Sequence, residues 1–332
     1  MRAKKRNKNG LKIFVSILAI LVIGILGYIY SIYANVKDSM DTAYTPVEIE
    51  TFRTTNTGTV ADSSEDEESR ADAGAMTPSE LLEAGEPVSI LLLGVDTGDL
   101  GRTEQGRSDS MVVVTINPHT QKTTLLSIPR DTYTEIVGYG TSDKINHAYA
   151  FGGTAMSINT VQQMLDIPID FYVMVNMAGI QEIVDAVGGI TVESPLAFNQ
   201  NGYDFVQGTN QLDGEAALAF ARMRYEDPAG DTGRQGRQRL VIEAVIRKLA
   251  TPETLLNYQT ILQSLSSNVQ TSFQLSDFYT LQSQDYLGAV DNMNQQQLGG
   301  TGGMMNEIYY NFVDGTELTR VQDLLQAELE LE

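Results

Sequence analysis

Between residues 88 and about 250 the chain alternates short apolar runs with segments of helical period, separated by glycine, proline or polar residues. That alternation limits the fold more than any other property of the sequence. "VSILLLGVD" is a brief apolar run ending at glycine, the pattern of a buried strand. "SMVVVTINP" and "KTTLLSIP" read as two further strands joined by a turn at "NPHTQ". "GGTAMSINTVQQMLD" reads as a helix starting at an N-cap Thr154, with Met156, Ile158, Val161, Met164 and Leu165 at near-helical spacing. "IDFYVMVN" and "ITVESP" are strands, and "MAGIQEIVDAVGG" is a helix closed by glycine. "LDGEAALAFARMRY" opens a helix with Asp213 as N-cap, and "RQGRQRLVIEAVIRKLA" (234–250) and "PETLLNYQTILQSL" add two more. The sum predicts an α/β fold: a central mixed β-sheet covered by helices on both faces.

The ends of the chain differ from this middle. Residues 1–12 are strongly basic, and residues 13–33 contain no charge. A run of that length matches the roughly 20 residues that cross a bilayer as a helix. A cleaved signal would show a shorter apolar core and a small-residue cleavage site, so 13–33 is expected to be an uncleaved transmembrane helix. Tyr28, Tyr30 and Tyr33 lie at its far end, where interfacial aromatics sit. The basic tail then stays in the cytoplasm and everything after residue 34 lies outside. Residues 34–86, with the run Glu65, Asp66, Glu67, Glu68, are expected to form an acidic linker with too little apolar surface to order itself. The domain is expected at 87–265. Residues 266–332 are expected to form a Gln-rich extension partly packed on it, with "GGTGG" as a flexible loop and "VQDLLQAELELE" as a closing amphipathic helix or a frayed end.

The chain has 22 Lys+Arg against 43 Asp+Glu, a formal charge of -21, and no cysteine. Nucleic-acid binding is not expected, because it needs a basic face. Disulfides, thiolate metal sites and a cysteine nucleophile are excluded. An acidic, cysteine-free exported domain fits the outer face of the cell membrane of a Gram-positive-type bacterium.

Against that acidity, Arg222, Arg224, Arg234, Arg237 and Arg239 fall within one short segment. Guanidinium forks match the paired oxygens of phosphate; surface ion pairing is the plain alternative. On a helix over 234–250, Arg234, Gln238, Val241 and Val245 share one face, with Arg237 near it. The helix N-terminus also favours an anion. Arg239, Glu243 and Arg247 form an i, i+4, i+8 row expected to be solvated. Arg222 and Arg224, two apart, point to one side if the chain is extended there.

Other candidates lie earlier. Asp96 closes the first strand and Asp109 opens the second; two facing carboxylates can hold Mg²⁺, or can cap the loop through backbone N–H groups. "GRTEQGRS" has phosphate-loop spacing with Arg107 in the lysine position, but it leads into a strand and not a helix, so that reading fails. Arg130 and Asp131 follow a buried strand and a proline, placed to enter a cleft or to form surface ion pairs. Lys144 is a point charge for a phosphate or a solvated side chain. His119 sits in the hairpin turn, and His147, near Lys144, makes neither a triad nor a metal site alone.

Taken together, "LLLGVD…GRSDSMVVVTINP…LLSIPRDTY…DKINHAYAFGG", then "VGGITV", "LDGEAALAFARMRY" and "DTGRQGRQ", resemble the LytR-CpsA-Psr family of cell-wall enzymes over about residues 88–260. The resemblance implies transfer of an anionic glycopolymer, of teichoic acid or capsular polysaccharide type, from a polyprenyl-pyrophosphate carrier to peptidoglycan. The product is a phosphodiester and the leaving group is polyprenyl phosphate. By the same resemblance Asp96 and Asp109 bind Mg²⁺ (or Mn²⁺), and Arg107 and Arg130 contact the phosphates. Lys144, Arg222, Arg224, Asp231, Arg234 and Gln238 complete the pyrophosphate site. Asp131 and Asp231 are candidate proton acceptors, and the catalytic set is Arg107, Arg130 and Asp131. The lipid tail is expected between the sheet and the helices at 155–165 and 177–187. The alternatives are a non-catalytic or regulatory protein that binds wall polymer or lipid carrier, and a polyprenyl-pyrophosphate pyrophosphatase.

Overall fold

The computed structural model describes residues 43–47, 76–96, 105–251 and 268–331. The expected transmembrane helix, most of the acidic linker and the helix expected at 252–265 lie outside the described residues. Among the described residues no helix is long and apolar enough to cross a membrane.

A six-stranded mixed sheet forms the centre. β1 (Val88–Val95), β2 (Ser108–Asn117) and β3 (Lys122–Ile128) pair successively antiparallel as a meander, which contains the early hairpin expected from "NPHTQ". β6 (Phe171–Asn176) joins β1 in parallel. The outer strands are β11 (Val269–Thr271), antiparallel to β6, and β12 (Met293–Gln297), parallel to β3. Because side chains alternate along a strand, β1 sends Leu91, Leu93 and Val95 to one face and Val88 and Ile90 to the other.

Each face is covered. On the first, α2 (His147–Leu165) and α7 (Gly315–Glu328) press Ile158, Val161 and Leu165, and Val321 and Leu325, onto the sheet. On the second lie Leu81 and Leu82 of α1 (Pro78–Ala84), with Phe273, Tyr286 and, half-buried, Ile242 of α5 (Gly230–Leu249). A separate apolar cluster joins α3 (Met177–Ala186), α4 (Gly214–Arg222) and α5 to the ribbon of β7 (Ile190–Ser194) with β10 (Gly208–Leu212), and to the hairpin β8 (Phe198–Gln200) and β9 (Tyr203–Phe205). The remaining pieces are the hairpin β4 (Tyr133–Ile136)–β5 (Thr141–Lys144), α6 (Leu275–Ser283) with a 3-10 turn at Asp285–Asp291, and β13 (Thr301–Met305)–β14 (Ile308–Phe312). The mixed sheet with helices on both faces agrees with the expectation.

Several local readings change. The helix read from Thr154 does follow a glycine break, with Gly152 at φ −142 and ψ 19 and Gly153 at φ 66 and ψ −151, and a further helical stretch starting at His147 precedes that break. α4 stops at Arg222, and α5 starts at Gly230 instead of 234. "GGTGG" is a loop only at Gly299 and Gly300: residues 301–305 form β13, paired with β14 across Asn306 and Glu307, both at positive φ. Sheet strands β11 and β12 and the core helix α7 all come from beyond residue 265. Gln-rich composition concealed the two strands, because half-buried strand positions tolerate polar residues when one face is apolar, whereas α7 contains the closing helix expected from "VQDLLQAELELE".

Candidate functional site

The site lies where β1, β2 and β3 end. Val95 pairs with Ser108 and Gly94 with Ser110, so Asp109 is the extra residue of a β-bulge. Bulges re-aim side chains at sheet ends. Gly94 permits the close approach: a Cβ there would lie 2.9 Å from the Cβ of Ser110. Asp96 is locked beside this point, its N–H donating to the Arg107 carbonyl at 3.2 Å and its Oδ1 accepting from the Arg107 N–H at 2.6 Å. The loop-capping alternative therefore holds for one oxygen of Asp96. Arg107 enters this site through its backbone, and its side chain is exposed.

Arg130, carried just past β3 by Pro129, donates from Nη1 to Asp109 Oδ1 at 2.9 Å, and its Nε lies 3.7 Å from Asp131 Oδ2. Asp131 Oδ1 accepts from Lys144 Nζ at 2.7 Å. The β4–β5 hairpin makes that meeting possible, since Lys144 is opposite Tyr133, two residues beyond Asp131. Asp109, Arg130, Asp131 and Lys144 thus form one alternating chain of charges.

The second arm comes from α4 and α5. Arg222 is half-buried in the last turn of α4, and Met223 then turns extended, at φ −57 and ψ 134. Arg224 is exposed, with Nε 3.9 Å from Asp231 Oδ1. Arg234 is buried, with Nη2 2.7 Å from the same oxygen, and Gln235 Nε2 donates to Asp231 Oδ2 at 3.0 Å. Gln238 is half-buried one turn on. Gln235 was missed from sequence, although its i, i+4 spacing from Asp231 was the available signal.

The arms meet electrostatically. Burial alone would lower the proton affinity of Arg130, but Asp109, and then Asp231 and Asp131, raise it above the ordinary arginine value. Arg234 goes the other way: burial first, then the nearby positive charges of Arg130 and Arg224, outweigh Asp231 and lower it. The Arg234–Asp231 contact is close enough to pair but lacks hydrogen-bond alignment, leaving Nε and Nη2 of Arg234 and Nε of Arg130 buried without hydrogen bonds. Unmet buried donors are costly. Close enough for their charges to act on each other, the two guanidinium groups suit a multiply charged oxyanion that satisfies several donors at once.

One arginine departs from expectation, and another, expected near the buried face, finds its role. Arg239 is not in a solvated row: Arg247 pairs with Glu243 at 2.9 Å, while Nε and Nη1 of Arg239 are buried without partners, and burial lowers its proton affinity. On α5 it lies on the edge that packs Ile242 toward the sheet. Arg237 is wholly buried and structural, its Nη1 paired with Asp227, its Nε and Nη2 donating to the carbonyls of Phe220 and Met223, and its plane 5.5 Å from the Phe198 ring. His119 pairs with Glu330, far from these charges in the fold, and His147 Nδ1 lies 2.7 Å from Asp143 Oδ2.

Among the described residues no group of three or more His, Cys, Asp or Glu could enclose a metal. A site of two carboxylates completed by phosphate oxygens and water is what Mg²⁺ accepts, and Asp96 and Asp109 on adjoining strand ends fit that donor set. An α/β domain with a cluster of cations and carboxylates at its strand ends is the architecture of a protein that handles a phosphorylated ligand. The chain matches the LytR_cpsA_psr family over residues 49–327 and belongs to that family.

Its relatives include the protein named polyisoprenyl-teichoic acid–peptidoglycan teichoic acid transferase TagU of Enterococcus faecalis. That protein is 45% identical over 97% of this chain and 98% of its own length. The crystal structure of Bacillus subtilis TagU superposes with a TM-score of 0.61 at 42% identity, over 74% of this chain and 98% of that one. A structure described as TagT bound to LI-WTA gives a TM-score of 0.62 at 30% identity, over 75% of this chain and 92% of that one.

Proposed function

We propose that this protein transfers an anionic glycopolymer of teichoic acid type from a polyprenyl-pyrophosphate carrier to peptidoglycan. The names of the relatives support the reaction class, and one observation here carries it. Two arms of the fold, more than ninety positions apart in sequence, bring Arg130 and Arg234 together with buried N–H groups that lack partners.

Phosphoryl transfer needs positioning and positive charge on the phosphate oxygens more than covalent help from protein. Arg130 and Arg234 hold the pyrophosphate from opposite arms, with Lys144, Arg222, Arg224 and Gln238 around it and Arg107 at the loop edge. Asp109 and Asp231 keep the two central guanidinium groups oriented before substrate enters. Asp96 and Asp109 would hold Mg²⁺, which when bound supplies further charge neutralisation on the phosphate oxygens. A hydroxyl of the acceptor glycan forms a bond to the phosphorus that carries the glycopolymer. The bond from that phosphorus to the bridging oxygen breaks, and polyprenyl phosphate leaves. Asp131 and Asp231, beside these cations, are the candidate acceptors of the hydroxyl proton, with substrate or solvent as the alternative. The anchor read at 13–33 would hold the domain outside the cell membrane beside its lipid substrate, raising effective concentration.

Arg130→Ala and Asp109→Ala should each lower transfer from a lipid-pyrophosphate donor to glycan by about 10²-fold or more, read as product formed by purified protein. Full activity in both variants would show that the reaction occurs elsewhere. Product analysis with and without glycan separates transfer from release of the polymer to water.

A further inference from the structure

The β13–β14 hairpin turns one face inward and one outward. Inward, Tyr310 and Phe312 pack on Tyr133, with ring centroids 5.1 and 5.6 Å apart. Outward, the register places Met304 opposite Tyr309 and Gly302 opposite Asn311. Met304 is 67% and Tyr309 50% exposed. A Cβ on Gly302 would lie 2.4 Å from the Tyr309 hydroxyl oxygen and 2.9 Å from the ring. The ring therefore lies across the glycine backbone and turns its other side to solvent. Asn311 continues the row against Gly300, where a Cβ would lie 2.5 Å from its side-chain amide. Thioether, aromatic face and amide stand in line with no charge among them.

The row leads to the site. The Asn311 N–H donates to the Asp131 carbonyl at 2.8 Å, and its side-chain amide reaches Thr132 Oγ1 at 3.4 Å. On the opposite, inward face of the same hairpin the Tyr310 hydroxyl donates to Asp143 at 3.3 Å, and Lys144 Nζ sits 5.8 Å from the Tyr310 ring centre. The pyrophosphate reading occupies the cationic cluster but leaves open where the neutral acceptor lies. An uncharged aromatic face beside an amide suits a sugar ring, whose C–H face packs on the aromatic while its hydroxyl and acetamido groups meet the amide. Glu307 at the hairpin tip disfavours an anionic lipid surface as the occupant.

We propose that Tyr309, with Met304 and Asn311, forms a subsite for the neutral N-acetylhexosamine rings of the acceptor glycan, leading toward Asp131. This rests on the transferase reading. The plainer role for Tyr309 is to cover the exposed glycine of a strand, and the variants distinguish the two. Tyr309→Phe keeps cover and aromatic face, Tyr309→Leu keeps apolar cover alone, and Tyr309→Ala keeps neither.

Saturation-transfer NMR and calorimetry, with the full chain in detergent and uncrosslinked peptidoglycan glycan oligosaccharides, measure binding without any transfer step. Binding should weaken about tenfold in the Leu and Ala variants and persist in the Phe variant. The Leu and Phe variants should keep the parental melting temperature, and all three should keep lipid-pyrophosphate affinity. Equal glycan binding by all variants, or none by the unsubstituted protein, overturns the subsite. Glycan binding that depends on the Tyr309 ring in a protein that transfers nothing would leave the subsite standing and remove the transferase reading.

Discussion

Arg237 and Arg234 are three positions apart on one helix and serve opposite ends. Each guanidinium nitrogen of Arg237 donates one hydrogen bond, to Asp227 or to the carbonyls of Phe220 and Met223 that close α4. Arg234 is left with donors that the fold does not meet. Breaking a buried ion pair by removing one partner leaves an uncompensated charge, so Asp227→Ala should cost about 3–5 kcal/mol in denaturant unfolding. Asp143 gives a pH signature. Burial alone would push its carboxyl up, but hydrogen bonds from His147, the Lys144 N–H and Tyr310 hold it below its ordinary value. A lowered native value means stabilisation that is present above about pH 4 and lost as pH falls through that lowered value. Asp143→Asn should therefore lose less stability than the parent between neutral pH and acid, measured as melting temperature against pH. An unchanged slope would remove Asp143 from the account.

At the scale of elements, the site is assembled by ends rather than by bodies. β1 and β2 meet in a bulge that frees Asp109, β3 ends at a proline that delivers Arg130, and the β4–β5 hairpin returns Lys144 to Asp131. The C-terminal elements belong to this frame. β12 pairs with β3 along Thr123 to Ser127, directly behind Arg130, and α7 seats Val321 and Leu325 in the same core as Leu126 and Ile128. Leu325→Ala, a fully buried residue in the last helix, should destabilise the protein by about 2–5 kcal/mol. A change below half a kcal/mol would make α7 an appendage.

Across the whole molecule, the apolar alternation of "VSILLLGVD", "SMVVVTINP" and "KTTLLSIP" was enough to expect a covered mixed sheet. Period-2 burial is a local consequence of strand geometry, and each strand carries its own record of it. The residue types of the site were legible for the same reason: Asp96, Asp109, Arg130 and Asp131 adjoin strand ends, and strand ends are visible in sequence. The Gln-rich segment was not legible, because β12 and β13 owe their form to partners and not to their own apolar content. Nor could spacing separate Arg234 from Arg237, or place Arg239. All three lie on or beside the inward face of α5, and their fates depend on what α4, Asp227 and the sheet set opposite them. Sequence alone therefore determined the layering and the identity of the charged groups, since both follow from short-range periodicity. Only the tertiary structure decided which charges neutralise one another and which remain for a ligand, because pairing depends on distances between segments far apart along the chain.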